Sequence, residues 1–406
     1  MSSNGPPEPN GPQLLTSEPQ WPGASSLGHR RAVRTVVVTG VAGSLGKRVA
    51  RLLLARPDVE RVVGIDVVTA PALPAGVAYH VLDLAATAGA PAAERDDPGG
   101  ELASLVAGAD GIIHLAWRTP EGRRAAPAEV RATAAANHRS MRRLLAAAAA
   151  APPASLVHLS SATVYGAWAD NPVPLSEGAA LRPNPDFSFA VEKADAERLL
   201  AELTESQPDV AVAILRPAVT LGTPHRPLHR ALGGTGGPRP GDAGASRRVQ
   251  YLHVDDLAAA VVLAWSSRLR GVYNVAPDAG IAEDTARALA GGVARVSVPE
   301  RLAGTIWDLG WKLGGVGVPH EARPYAIHPW VVAGDHLRGS GWVPLYSSEE
   351  AYVATDVRPH WDDLPPLRRQ RYTLIGAVTT ASLGVLAVTG AGLAVLRHRR
   401  PPASSR

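Results

Sequence analysis

The 406-residue chain has no cysteine, which excludes disulfides, thiolate metal sites and a cysteine nucleophile. Lysine is almost missing as well. Lys47, Lys193 and Lys312 stand against many arginines, and a residue type that the composition avoids is informative where it does occur. No basic stripe with interleaved aromatics is present and the net charge is only +4, so no nucleic-acid partner is expected. The opening residues lack a basic start and a hydrophobic segment, so they are not a secretory signal. Residues 1–32 are rich in Pro, Gly, Ser and Asn and read as a disordered tail.

With 46% hydrophobic residues, the chain can bury a sizeable core in one large α/β domain or two smaller ones. Its organising stretch is a β-branched run, Val36 to Thr39, that ends in Gly40, Gly43 and Gly46. A helical pattern carrying Val49, Leu52 and Leu53 follows at once. Strand, glycine turn and helix together set backbone N–H groups and a helix N-terminus against a pyrophosphate. Gly40 permits the tight turn, Gly43 lets phosphates approach the backbone, and Gly46 lets the helix pack close on the strand. The cradle is Gly40, Gly43, Ser44, Leu45 and Gly46. A P-loop does not fit, because Arg48 follows Lys47 and Val41 stands five residues before Gly46. A second apolar strand, Val62 to Ile65, ends in Asp66, twenty residues after Gly46. An acid there accepts hydrogen bonds from the adenosine ribose and disfavours a 2′-phosphate.

Strand patterns at Thr35–Thr39, Arg61–Asp66, Ala78–Leu82, Gly111–Leu115, Ser155–Ser160 and Val210–Leu215 alternate with helical ones. The helices fall around Leu45–Ala55, Glu101–Val106, Ala128–Ala151 and Val191–Glu205. The alternation predicts an α/β fold, a Rossmann-type doubly wound parallel sheet. Asp83 and Leu84 follow the third strand, where adenine would lie. Past Pro217 the alternation breaks up, and residues 217–362 read as a smaller C-terminal substrate-binding part. It holds a mobile loop at Gly233–Arg248, strands at Val249–Leu252 and Val272–Val275, and a helix near Asp255–Trp265. His253, Asp255 and Asp256 suit a capped helix start, and no metal is expected. Leu364-Pro365-Pro366 breaks the chain in a linker, 363–372. Thr373 to Leu396 then runs without charge between arginines, which predicts a C-terminal transmembrane helix, with a basic tail over 397–406.

Ser160-Ser161-Ala162-Thr163-Val164-Tyr165-Gly166, taken with the glycine turn and Asp66, resembles the extended short-chain dehydrogenase/reductase superfamily, NAD-dependent epimerase/dehydratase branch. Ile113-His114-Leu115-Ala116, Asn137, Leu215-Arg216-Pro217, His253 to Leu257 and Gly341-Trp342-Val343-Pro344 extend the resemblance from about Arg34 to Asp356. It implies one such domain over 33–362, NAD as cofactor, and Leu115, Ala116 and Lys193 in the cofactor site. It also implies oxidation and reduction at a hydroxyl- or carbonyl-bearing carbon of a small, sugar-like molecule. By the same resemblance Ser161 positions that oxygen, Lys193 holds the nicotinamide ribose, and Asn137 belongs to the catalytic set.

The family's acid/base is a tyrosine four residues before the lysine, on the same helix face. Here that position is Phe189, which keeps the ring and loses the proton. No other register restores the pair, since Gly43 precedes Lys47 and Asp308 precedes Lys312 by four. Acid/base catalysis is therefore expected to be impaired or atypical, with a substrate group, water or Tyr165 as the substitute acid. The alternative is a redox-inactive, membrane-tethered NAD-binding sensor or scaffold. The expected setting is a membrane-anchored chain with its main domain in the cytoplasm, a small-molecule substrate, and a homodimer as the assembly allowed for.

Overall fold

The computed structural model describes residues 34–69, 71–86, 100–120, 125–222, 239–240, 247–289, 297–298 and 320–355. The expected disordered tail, the linker and the basic tail lie outside those residues, as does nearly all of the Gly233–Arg248 loop.

The apolar runs become seven strands, β1 (Arg34–Thr39), β2 (Val59–Asp66), β3 (Val77–Val81), β4 (Gly111–His114), β5 (Ser155–Leu159), β6 (Ala211–Pro217) and β7 (Gly271–Val275). All pair in parallel, in the order β7-β6-β5-β4-β1-β2-β3. The strand order reverses between β1 and β4, and a crevice opens at such a point beyond the strands' C-terminal ends. Five helices are used below: α1 (Ser44–Leu54), α2 (Glu101–Val106), α3 (Pro127–Ala150), α4 (Ser188–Ser206) and α5 (Val254–Ser266). Successive strand residues point to opposite faces, so the sheet has two cores. Val36, Val38, Ile113 and Val157 pack with Val49 and Leu53 of α1 and Val261 of α5. Val37, Ile112 and Leu156 pack with Leu144 of α3, Leu200 of α4, and Leu102 and Val106 of α2.

The strand expected over Val249–Leu252 is divided. Arg248–Val249 pairs with Ile281–Ala282, whereas Tyr251–His253 pairs with Val219–Leu221. The break falls at Gln250, whose side-chain amide bonds the backbone N–H and C=O of Val332 at 3.1 and 2.9 Å. His253 caps α5, its Nδ1 accepting from the Asp255 N–H at 3.3 Å. The Asp256 carboxylate accepts from the N–H groups of Leu345 and Tyr346 at 2.8 and 3.0 Å. The Trp342 indole donates to the Asp256 carbonyl at 3.1 Å. The closing Gly341-Trp342-Val343-Pro344 segment is thus pinned to the start of α5. Among the described residues, no group of three or more His, Asp or Glu side chains is arranged to hold a metal ion.

The transmembrane helix is corrected. Among the described residues no helix is long and apolar enough to cross a membrane, and Thr373–Leu396 itself lies outside them. The longest described helix, α3, carries Glu129, Arg131, Arg139, Arg142 and Arg143, and the apolar α5 has 13 residues where about 20 are needed. The membrane partner, the anchored localisation and the cytoplasmic placement of the main domain are withdrawn with it. The homodimer likewise finds no support in the fold.

Candidate cofactor and catalytic site

The glycine turn closes β1 against the crevice. Gly40 adopts φ +74°, and a Cβ there would lie 2.7 Å from the Ala116 nitrogen and 2.9 Å from the Leu115 carbonyl carbon. Leu115 and Ala116, at the end of β4, therefore abut the turn, and their N–H groups bond Thr39. A Cβ on Gly46 would fall 2.2 Å from the Gly40 oxygen. Gly43 differs. Its backbone is extended (φ −68°, ψ 163°), and an added Cβ would meet only the Gly40 oxygen, at 3.2 Å. Packing excludes a side chain at 40 and 46 and constrains 43 far less, beside the N-terminus of α1 at Ser44 and Leu45, which no side chain caps. Such an end attracts anions, through its exposed N–H groups and the helix dipole.

Asp66, ending β2, is tied to this turn: one carboxylate oxygen accepts from the Ala42 N–H at 2.9 Å and the other from Val67 at 2.8 Å. After β3, Asp83 accepts from the Ala85 N–H at 2.8 Å and pairs with the Arg118 guanidinium at 2.6 Å. The neighbouring Leu84 is buried against the α3 side of the sheet. Asp66, Asp83 and the glycine turn thus line one edge of the crevice.

The other sequence-derived residues gather at the end of β5. Lys193 of α4 is only 3% exposed, donates to the Leu159 carbonyl at 2.7 Å, and lies 3.6 Å from the centre of the Trp117 ring. The Phe189 ring, one turn earlier, is centred 6.0 Å from Nζ and packs beside Phe187. Burial pulls Lys193 from its ordinary value to about 7, against the opposing pull of Glu192 and Glu197. The Ser161 hydroxyl oxygen accepts from the Thr163 N–H and hydroxyl at 3.2 and 2.9 Å, capping the short turn Ala162–Tyr165.

Asn137 is placed differently from the group it was expected to join. Its oxygen accepts from the Arg118 N–H at 2.9 Å, and its nitrogen donates to the Arg118 carbonyl at 2.9 Å and to Glu192 at 2.7 Å. It clamps the loop after β4 onto α4. Burial, first of all, raises Glu192, with the Asn137 bond opposing. Tyr165 is removed from consideration as the substitute acid. It is 1% exposed, its hydroxyl donates to Asn274 at 2.8 Å, and it accepts from Arg216 at 2.7 Å.

The sequence placed His114 under the cofactor or in the core and missed its partners. Thr39, His114 and His158 sit in register on β1, β4 and β5, so they form one polar row on the α3/α4 face. The Thr39 hydroxyl bonds His114 Nδ1 at 2.7 Å, and the two imidazoles stack 5.4 Å apart. Trp117 meets His158 edge-on. Both histidines are fully buried and kept neutral: His114 falls to about 3 and His158 well below its ordinary value, from burial first and the Lys193 charge second. The available signal was a histidine inside each of two otherwise apolar strands, two residues or fewer from a crevice.

The sequence profile of the NAD dependent epimerase/dehydratase family matches residues 36–276. An uncharacterized protein of Mycobacterium tuberculosis is 27% identical over 257 residues, which cover 62% of this chain. The chain spans 64% of that relative's own length. Among solved structures, the UDP-glucose 4-epimerase of Thermus thermophilus in complex with NAD is 24% identical, with TM-score 0.56 over 79% of this chain and 97% of that one. A tyrosine-to-phenylalanine mutant of Bacillus cereus UDP-glucuronic acid 4-epimerase, in complex with UDP-4-deoxy-4-fluoro-glucuronic acid and NAD, is 18% identical. Its TM-score is 0.57 over 79% of this chain and 97% of that one. At these identities the likeness to the solved structures is one of fold.

Proposed function

The chain belongs to the NAD-dependent epimerase/dehydratase family, so its cofactor is NAD, and we propose that it moves hydride to and from a hydroxyl-bearing carbon of a nucleotide-sugar-like small molecule, with atypical proton handling. The observation that carries this reading is the pairing of an intact dinucleotide cradle with a buried lysine whose partner position is Phe189. Gly43 supplies the test of fit: an added Cβ there would press on a single backbone oxygen at 3.2 Å, much less than at Gly40 or Gly46, and a pyrophosphate approaching the backbone would favour glycine at that position.

Gly43, Ser44, Leu45 and Gly46 would hold the pyrophosphate, Asp66 the adenosine ribose, and Asp83 and Leu84 the adenine edge. Leu115 and Ala116 would floor the crevice, and Lys193 would reach the nicotinamide ribose. Bound there, NAD supplies the hydride acceptor. Ser161 would orient the substrate oxygen, and Asn137 would act as a positioning residue through the Arg118 backbone. The substrate would extend from Ser161 over Phe189 toward the cleft that Ala218, Val219, Arg247 and Trp330 line. Support for a nucleotide sugar comes from the neighbours that bind one.

Phe189 cannot donate a proton, and losing a general acid/base costs roughly 10²- to 10⁴-fold in rate. Phe189→Tyr should therefore raise turnover of an accepted nucleotide sugar within that range, while NAD affinity stays nearly constant because the cradle and Lys193 are unchanged. The assay is chromatographic detection of epimerised or dehydrated product, with UDP-glucose and dTDP-glucose as first probes, and reduced-nicotinamide absorbance reports the single hydride transfer. The loss of the hydroxyl also favours a second reading, a redox-inactive NAD-binding sensor. That reading takes over if both forms bind NAD and neither transfers hydride.

A further inference from the structure

We propose that the Lys193 amine itself takes the proton from the substrate hydroxyl and returns it, in place of the missing phenol, beside the buried row of His114 and His158. The proposal rests on the reading of this site as an NAD redox centre.

The geometry around Nζ sets this lysine apart from a structural ion-pair partner. Each side is accounted for by a different element. On α4, Phe189 lies one turn away and carries no proton. The two carboxylates of that helix are engaged elsewhere. Glu192 accepts from Asn137 of α3 at 2.7 Å, and Glu197 accepts from Arg216 of β6 at 3.0 and 3.2 Å and from Ser160. Arg118, on the loop after β4, is paired with Asp83. The partners recorded for Nζ are the Leu159 carbonyl of β5 and the Trp117 face.

A second observation is independent of any titration. His114 Nε2, both ring nitrogens of His158 and Trp117 Nε1 are buried with no hydrogen-bond partner. Interiors satisfy nearly all such atoms, and each exception asks for an explanation. Four orphaned nitrogens beside one lysine form a polar cluster that no carboxylate among the described residues balances. With Thr39 bonded to His114 Nδ1 and burial keeping both rings neutral, the histidines offer the ammonium no compensating charge. The position of Lys193 at about 7 agrees with that arrangement.

In the oxidative direction the substrate O–H proton passes to the uncharged amine, which becomes an ammonium. The hydrogen on the carbon leaves as hydride, with its electron pair, to the oxidised nicotinamide, and a carbonyl results. Reduction returns both. One proton and one hydride are transferred each way, and no further reactant is needed.

The chain has three lysines, so protein carrying lysine labelled with ¹³C at Cε gives three signals, and Lys193→Arg assigns one of them. Titrated without and with NAD, Lys193 should show a midpoint near 7 in the free chain. In Lys193→Arg, NAD binding by calorimetry should weaken by no more than several-fold. Turnover of the nucleotide-sugar probes should fall at least about 10²-fold, since a guanidinium does not discharge, and the neutral-range limb of the wild-type pH–rate profile should vanish. An ordinary midpoint for Lys193, wild-type turnover by Lys193→Arg, or no turnover of any probe by an NAD-binding chain would each overturn the assignment. Failure of all three signals to respond to NAD, with no calorimetric heat, overturns instead the reading of the site as an NAD centre.

Discussion

Lys193, His114 and His158 are bases that folding prevents from charging at their ordinary pH, and this links stability to pH in a definite direction. The unfolded chain protonates Lys193 below about 10.4, the folded one only below about 7. Between those values the unfolded state binds more protons, so stability rises with pH. The histidines act with the same sign in acid. Unfolded histidine protonates near about 6.5 and folded His114 only near 3, so stability is lost as pH falls between them. Buried Tyr165, Tyr251 and Tyr325 are held above their ordinary values and oppose the trend only at strongly alkaline pH. Urea unfolding should therefore show stability climbing from pH 7 to 9, by up to about 1.4 kcal/mol per pH unit. Lys193→Met should remove that climb, and His158→Phe should shrink the acid limb. An unchanged slope in Lys193→Met would show that this lysine ionises normally in the fold.

At the scale of the element, the turn between β1 and α1 separates what the fold needs from what a ligand needs. Gly46→Ala would drive a Cβ into the Gly40 carbonyl, 2.2 Å away, and should lower the melting temperature markedly. Gly43→Ala presses on one backbone oxygen at 3.2 Å and keeps an ordinary backbone, so the melting temperature should fall far less than in Gly46→Ala while NAD affinity falls about tenfold or more. Equal loss of stability in both variants, seen by thermal denaturation, would make Gly43 a packing residue. The turn was legible in the sequence because both its neighbours are: a central parallel strand is buried on both faces and reads as an unbroken apolar run. The polar row Thr39–His114–His158 was not, because it exists only once β1, β4 and β5 are in register. Trp117 reaches the site through a loop that Asn137 holds, a contact between residues 19 apart in the chain. Tyr165 looked available in the sequence, and its commitment to Arg216 and Asn274 depends on β6 and β7 lying beside it.

At the scale of the whole molecule, the reversal of strand order between β1 and β4 opens the crevice. Glycine turn, acid, lysine and aromatic cluster converge on it from separate stretches of chain. The family was readable from motifs spread over most of that fold because most of them sit at strand ends. The membrane helix finds no counterpart, since no described helix is long and apolar enough to cross a bilayer. The substrate stays at the level of a class, since the match spans 64% of the curated relative's length. The claim on which the rest depends is that this crevice takes NAD, with Asp66 facing the adenosine ribose and its carboxylate repelling a 2′-phosphate. Calorimetric titration of the purified chain with NAD and with NADP tests it most directly. The expected result is one site that binds NAD at least about tenfold more tightly, a difference near 1.4 kcal/mol, with the preference lost in Asp66→Ala. Equal or tighter binding of NADP by the unaltered chain, or no binding of either, would contradict it.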